Sequence, residues 1–260
     1  YLAEDAAGRY AVRVGSDIPE HHVMRFNELS AMHAAYAAGV APAVKYAEPS
    51  VTVLDFVDSH TLTAEDVRAP EMLPRIVDLV KRCHRDAPKH LRGPALIFWV
   101  FHVIRDYGAT LAERQSPHGP LIDELVSLGN SLEEAAGPFD MVFGHNDLLA
   151  ANLLDDGTRL WLIDYDYAGF NSPLFDLGGL ASNNGLSEAQ EVACLELYFE
   201  APVTGDLLHR YAAMKCASLL RETMWSMVSE LTSELDFDYA AYTAENLAAF
   251  RQSHTDFLTM

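Results

Sequence analysis

Basic residues are scarce in this chain: 18 Lys and Arg stand against 38 Asp and Glu among 260 residues, a formal net charge of −20. That balance repels phosphate backbones and anionic lipid heads, so it argues against a nucleic-acid or membrane-surface binder and favours a cationic partner. Cysteine is scarcer still. Cys83, Cys194 and Cys216 lie far apart with no Cys-x-x-Cys spacing, which argues against a disulfide framework and a structural zinc site and makes a reducing cytoplasm the simplest home. No apolar run reaches the roughly 20 residues that a spanning helix needs, and the start has no basic stretch followed by an apolar one. The chain opens at Tyr1 and not at Met, so the expectation is that its true N-terminus, with any signal there, lies ahead of it. Internal repeats and low-complexity tracts are absent too.

What is present is apolar mass. Half of the residues are hydrophobic, and 12 Phe, 11 Tyr and 3 Trp are spread over both halves. This is enough for a sizeable core in one large or two modest domains. The first part reads as mixed strand and helix. Tyr1 to Glu4 and Tyr10 to Val14 are β-prone runs around Asp5-Ala6-Ala7-Gly8, a turn in which Gly8 is expected to supply a positive φ. From Pro19, Val23, Phe26, Leu29, Ala31 and Met32 recur at helical spacing until Gly39 and Pro42 stop the pattern. Ala43 to Ala47 and Val51 to Phe56 flank Glu48-Pro49-Ser50 as a second hairpin. Beyond residue 70 the spacing predicts helices near 71–86, 94–114, 120–136, 187–199, 205–232 and 238–257. One island interrupts them: residues 139–164 hold two short apolar runs, Met141 to Phe143 and Leu160 to Ile163, expected to be strands that present a polar loop.

That loop carries the chemistry. Phe143-Gly144-His145-Asn146-Asp147 leads to Asn152, and Ile163-Asp164-Tyr165-Asp166 follows, so three oxygen-bearing side chains would converge if the strands pair. Phosphoryl transfer needs a carboxylate to orient or deprotonate an attacking hydroxyl, and divalent cations to neutralise phosphate oxygens. Asp147 suits the first task. Asn152 and Asp164 suit the second, because magnesium takes oxygen ligands, few of them from protein. Taken singly, each residue also suits an Asx turn or a cap. Jointly, a loop Asp, an Asn five residues on, and an Asp closing the next apolar run form a demanding pattern.

The sequence resembles the choline/ethanolamine kinases, within the wider aminoglycoside-phosphotransferase-like branch of the protein-kinase-like superfamily. The resemblance covers nearly the whole chain. It rests on the loop through Asn152, on Ile163-Asp164-Tyr165-Asp166-Tyr167-Ala168-Gly169-Phe170-Asn171, on Phe175-Asp176-Leu177-Gly178, and on Trp225 with Leu235-Asp236-Phe237-Asp238-Tyr239 and Tyr242. It implies an α+β, bilobal kinase-like fold, with a small β-rich N-terminal lobe over 1–57 and a larger, mainly helical lobe over 58–260. It also implies ATP and Mg²⁺ as cofactors, with the phosphate-covering loop of the family lying before the first residue. Arg13 would contact the nucleotide phosphates and be held by Glu28; Arg replaces the Lys of protein kinases there, and its guanidinium can clamp phosphate oxygens with two hydrogen bonds. Backbone groups around Asp55, Phe56 and Val57 would meet adenine. Asp147 is the expected catalytic residue, with His145 beside it fixing the loop, and Asp176 is expected to hold that loop rigid.

A quaternary ammonium has no hydrogen to donate, so it is recognised by aromatic faces and carboxylate fields. Trp225 and Tyr242 are the candidates for an aromatic pocket, with Asp166 and Glu222 as carboxylate partners and Tyr165, Tyr167, Phe170, Phe237 and Tyr239 as further aromatics nearby. Between residues 147 and 176 six Asp face one base, Arg159, for which bound metal is the natural counter-charge. The expected acceptor is choline, ethanolamine or a similar small cationic alcohol. An aminoglycoside or thiamine, or a non-catalytic ligand-binding role, are the competing readings. The oligomeric state is left open.

Overall fold

The computed structural model describes residues 1–260. Strands β1 (Leu2–Glu4) and β2 (Arg9–Val14) form the expected antiparallel hairpin. Its turn works differently from expectation. Gly8 does not take a left-handed φ; instead the Asp5 carboxylate accepts the N–H groups of Ala7 at 2.7 Å and Gly8 at 3.0 Å, so a side chain closes the turn. Helix α1 (Arg25–Ala37) begins later than Pro19. Pro19–His21 make a single 3₁₀ turn ended by His22 at φ 62°, and the Asp17 carboxylate then takes the Arg25 N–H at 2.7 Å. The predicted stop holds, with Gly39 left-handed at φ 70°. Strands β3 (Val44–Glu48) and β4 (Val51–Asp55) follow, turned by Ser50 at φ 70°. The four strands form one antiparallel sheet in the order β1-β2-β4-β3.

The rest is mainly helical. In chain order it comprises β5 (His60–Thr61), α2 (Ala64–Arg68), α3 (Met72–Asp86), α4 (Val100–Glu113), α5 (Gly119–Ala136), β6 (Val142–Gly144), β7 (Leu153–Asp155), β8 (Leu160–Leu162), β9 (Gly169–Asn171), α6 (Pro173–Asn184), α7 (Glu188–Phe199), α8 (Gly205–Thr232) and α9 (Tyr239–Leu258). Two expectations fail here. Residues 94–99 are extended, not helical: Phe170 donates its N–H to the Leu96 carbonyl at 2.9 Å and accepts from Phe98 at 3.0 Å. Gly169 permits the approach, because a Cβ there would lie 2.9 Å from the Leu96 carbonyl oxygen. The two apolar runs of the island also do not pair with each other. β6 pairs with β9, whereas β8 pairs with β7, which in turn pairs with β5.

Helix α6 was not foreseen. Leu174, Phe175, Leu177, Leu180 and Ala181 are all buried, and so is Asp176, so the helix is apolar on every side and shows no amphipathic period. It packs on α8, the long helix through the middle of the core. The contact is closest at Gly178, where a Cβ would sit 2.9 Å from the Lys215 Cα. Gly178→Ala is therefore expected to force the helices apart at a cost of about 1–3 kcal/mol, read as a fall of several degrees in the thermal midpoint; an unchanged midpoint would contradict this packing. All three cysteines are free and buried. No helix is long and apolar enough to cross a membrane.

Candidate active site

The loop after β6 is pinned from beneath. Asp176, in the first turn of α6, accepts the His145 N–H at 2.8 Å and the Asn146 N–H at 2.6 Å. Its Oδ2 also lies 2.8 Å from His84 Nε2, whose other ring nitrogen is 2.7 Å from the Tyr198 hydroxyl. Burial raises the Asp176 pKa, but His84 and the loop amides outweigh it and hold the carboxyl below its ordinary value. Asn146 adopts φ 65°, a left-handed conformation that Asn tolerates. Its side-chain amide donates to the carbonyls of Tyr167 at 2.9 Å and Gly169 at 3.2 Å. His145 is buried, its Nε2 2.9 Å from the Ile163 carbonyl. Burial lowers its pKa, so the ring is a neutral brace between the loop and the end of β8.

Asp147 projects from this rigid turn. Asn152 Nδ2 donates to its carbonyl at 2.9 Å and to its Oδ2 at 3.3 Å. Burial lifts the Asp147 pKa to about 7; the Arg221 guanidinium opposes the rise, while Glu222 and Asp164 add to it. A carboxyl poised near neutrality suits proton acceptance from an alcohol. Asn152 accepts the Ile163 N–H at 3.0 Å through its backbone carbonyl, which brings it beside the segment leading to Asp164.

Between the sheet and the loop lies a charged cluster. Arg13 Nη1 is 2.8 Å from both Glu28 Oε1 and Asp164 Oδ1, and its Nη2 bonds Asp166. Arg25 Nη1 reaches Glu28 at 2.7 Å and Asp166 at 2.6 Å. The expected Arg13–Glu28 pair is thus formed. Arg25 was missed, although its place three residues before Glu28, one helical turn away, was the available signal. Asp166 requires correction as an acceptor-pocket carboxylate: two arginines hold it on this side. Glu28, Asp164 and Asp166 keep carboxylate oxygens within 4.8 Å of one another, and the buried Glu28 Oε1 has no hydrogen bond despite its closeness to Arg13. Two arginines already fill this cluster, but Arg13 engages Asp164 through Oδ1 alone and the Asn152 side-chain oxygen accepts no hydrogen bond within the chain, so Asn152 and Asp164 retain oxygen ligands of the kind that magnesium takes.

The expected adenine contacts divide. Asp55 donates its N–H to the Ala43 carbonyl at 2.9 Å and its carboxylate pairs with Lys45; Phe56 donates to the Arg9 carbonyl at 3.1 Å. The Val57 N–H bonds nothing within the chain, which leaves it the free backbone donor of the three.

On the other side of Asp147 opens a pocket of about 400 Å³, lined by Asp147, Tyr167, Arg221, Glu222, Trp225 and Tyr242 among others. Trp225 Nε1 donates to the Tyr167 hydroxyl at 2.9 Å. Tyr242 donates its O–H to Glu222 Oε1 at 2.9 Å, and Arg221 Nη1 donates to Glu222 Oε2 at 2.8 Å. Phe237 and Tyr239 close the rim. Tyr165 and Phe170 lie elsewhere: Tyr165 is fully buried against His145, and Phe170 packs edge-on to Phe143. Arg221, buried with its guanidinium 4.3 Å over the Tyr167 ring, was also missed. Its only signal was a base that follows the mostly apolar run Ala217 to Leu220 in the middle of α8.

The acidic excess of this region is answered mostly by protein. Arg75 binds Asp155 through two hydrogen bonds at 2.7 and 2.9 Å, Asp156 caps its own turn through Thr158 and Arg159, and Asp164 and Asp166 take Arg13 and Arg25. Metal is therefore not the main counter-charge that composition implied.

A model of the choline/ethanolamine kinase family matches residues 4–191. An ethanolamine kinase of Drosophila melanogaster is 25% identical over 260 residues, covering 85% of this chain and 49% of the fly protein, so the chain spans about half the length of that relative. A choline/ethanolamine kinase family protein from Mesorhizobium loti superposes with a TM-score of 0.80 at 23% identity, over 94% of this chain and 82% of that one. LicA in complex with AMP superposes with a TM-score of 0.73 at 20% identity, over 97% and 88%.

Proposed function

The chain belongs to the choline/ethanolamine kinase family, and from that premise we propose that it transfers the γ-phosphate of ATP to the hydroxyl of choline, ethanolamine or a similar small cationic alcohol. The observation that carries this reading is the position of Asp147. It lines a pocket of aromatic rings and a carboxylate on one side, and on the other is hydrogen-bonded to Asn152, beside the segment after β8 that carries Asp164. A hydroxyl held in the pocket would meet Asp147 first, and the nucleotide would approach from the Arg13 side.

In this reading Arg13, fixed by Glu28, clamps phosphate oxygens, and the Val57 N–H and its neighbours Asp55 and Phe56 meet the base. Asn152 and Asp164 would hold Mg²⁺, which supplies neutralising charge to the phosphate oxygens when bound. Asp147 orients the hydroxyl for in-line attack and takes up its proton, while His145 and Asp176 keep the loop still. Trp225, Tyr242 and Glu222 form the acceptor site. The nucleotide lobe comprises residues 1–57 and the catalytic and acceptor lobe 58–260. The buried free thiols support a reducing, cytoplasmic setting. A similar likeness to LicA bound to AMP supports an adenine nucleotide.

The test is ATP consumption by purified protein with Mg²⁺, offered choline, ethanolamine, thiamine or an aminoglycoside, with Asp147→Ala as control. Turnover with choline or ethanolamine that vanishes in the variant supports the reading. Turnover with an aminoglycoside or thiamine alone would move the acceptor class, silence with all four would point to another acceptor or an incomplete nucleotide site, and magnesium-dependent ATP binding with no product under any acceptor would favour a ligand-binding role.

A further inference from the structure

The acceptor pocket is not an open aromatic cage. Its rings are partly occupied by the protein itself. The Arg221 guanidinium lies 4.3 Å from the Tyr167 ring centroid, so a resident cation already covers one face of that ring. The His21 imidazole lies 5.0 Å from the Trp225 ring, tilted by 33°, and covers one face of the indole. Trp225 meets Tyr242 edge-on at 88°, and Phe237 meets Tyr242 edge-on at 76°. A fully methylated ammonium depends on open aromatic faces, and here several are spent on internal contacts.

Oxygen acceptors, in contrast, are available. Glu222 is held by one hydrogen bond on each oxygen, from Tyr242 to Oε1 and from Arg221 to Oε2. A carboxylate offers about four lone-pair positions, so about two remain open on a side chain fixed in place from both ends. Its side chain is 23% exposed, reachable from the pocket yet largely screened from bulk water. Arg221 also offsets part of the pocket's negative charge, which weakens attraction for a cation that brings charge but no hydrogen-bond donors.

We propose that Glu222, locked between Arg221 and Tyr242, is the specificity-determining residue of this pocket and selects an acceptor whose ammonium keeps N–H donors over one that is fully methylated. The inference rests on the pocket being the acceptor site of a phosphotransferase. An N–H-bearing head group donates to the open lone pairs of Glu222 while the rings pack its carbon chain. Each added methyl removes a donor, adds volume, and leaves a desolvated acceptor without a partner.

The experiment measures binding by calorimetry and turnover separately for ethanolamine, its N-methyl and N,N-dimethyl forms, and choline, with wild type and Glu222→Gln. Affinity is expected to fall along the series, with ethanolamine bound about 10-fold or more tighter than choline, the scale of one hydrogen bond to a charged group. Glu222→Gln should bring the series to within about threefold, mainly by weakening ethanolamine, and should appear in KM more than in kcat. Choline bound as tightly as ethanolamine by the wild type, or a variant that weakens all four alike as a merely structural loss would, overturns the proposal. So does failure of all four to bind. Binding in the expected order without phosphate transfer would instead sink the phosphotransferase reading and leave the selectivity of Glu222 standing.

Discussion

Asp147→Asn is expected to lower turnover by about 10²–10⁴-fold, the range for loss of a positioned general base, with nucleotide affinity changed by less than about threefold. The amide keeps the size of the carboxyl and the contact with Asn152, so the pocket stays intact while the proton acceptor is gone. In the wild type the carboxyl must be ionised to act, and burial holds its pKa at about 7, so kcat/KM should rise tenfold per pH unit below about 7 and level off above. The same shift has a stability consequence of opposite sense. A carboxyl whose folded pKa is raised contributes stability that is complete below its unfolded pKa, about 3.9, and is lost as pH rises through about 7. At pH 8 the metal-free wild type should therefore be less stable than Asp147→Asn by about 1–4 kcal/mol, and the two should converge near pH 4. Urea titrations at the two pH values decide it: a variant less stable than wild type at pH 8 would contradict the burial, and a variant that still turns over would remove Asp147 from the chemistry.

Asp176→Ala should cause the largest loss of stability of any single change at the site. It would strand the N–H groups of His145 and Asn146, both within 2.8 Å of the present carboxylate, and the Nε2 of His84. Breaking a buried charged network in this way costs about 3–5 kcal/mol, and the freed loop would no longer present Asp147. The folded pKa of Asp176 is depressed, so its contribution is present above the unfolded value and fades as pH falls through the folded one. Denaturation of the variant at neutral pH should show the full difference, shrinking in acid. A loss below about 1 kcal/mol would mean that the loop is held by its other contacts, chief among them the Asn146 side chain on the Tyr167 and Gly169 carbonyls.

Much of this site was legible before folding because it is local. The Asp147 to Asn152 spacing, the Arg13 that closes a strand, and the Glu28 on the next helix are each set within one turn or one element, and the family resemblance gathered them. Asp166 was misassigned for the opposite reason. Next to Tyr165 and Tyr167 in sequence it looked like part of an aromatic pocket, but the chain turns here, with the Ala168 N–H on the Tyr165 carbonyl at 3.1 Å, and the turn sends the three side chains to different sites. Its partners are Arg13 and Arg25, 153 and 141 positions away.

The sequence alone determined the order of strands and helices over most of the chain, the catalytic loop, and the aromatic character of α8 and α9, since periodicity, turn residues and motif spacing are short-range properties. Beyond the Arg13–Glu28 pair, only the tertiary structure decided which distant polar groups meet. Arg75 reaches Asp155 across 80 residues and Tyr242 reaches Glu222 across 20, and such pairs leave no periodic trace because chain folding, not spacing, brings them together. It likewise decided that residues 94–99 are not helical, with Ile97 bridged to Phe170 of β9, and that α6 is a helix. Backbone pairing with a distant strand overrides local propensity in the first case, and burial on every side erases the amphipathic signal in the second.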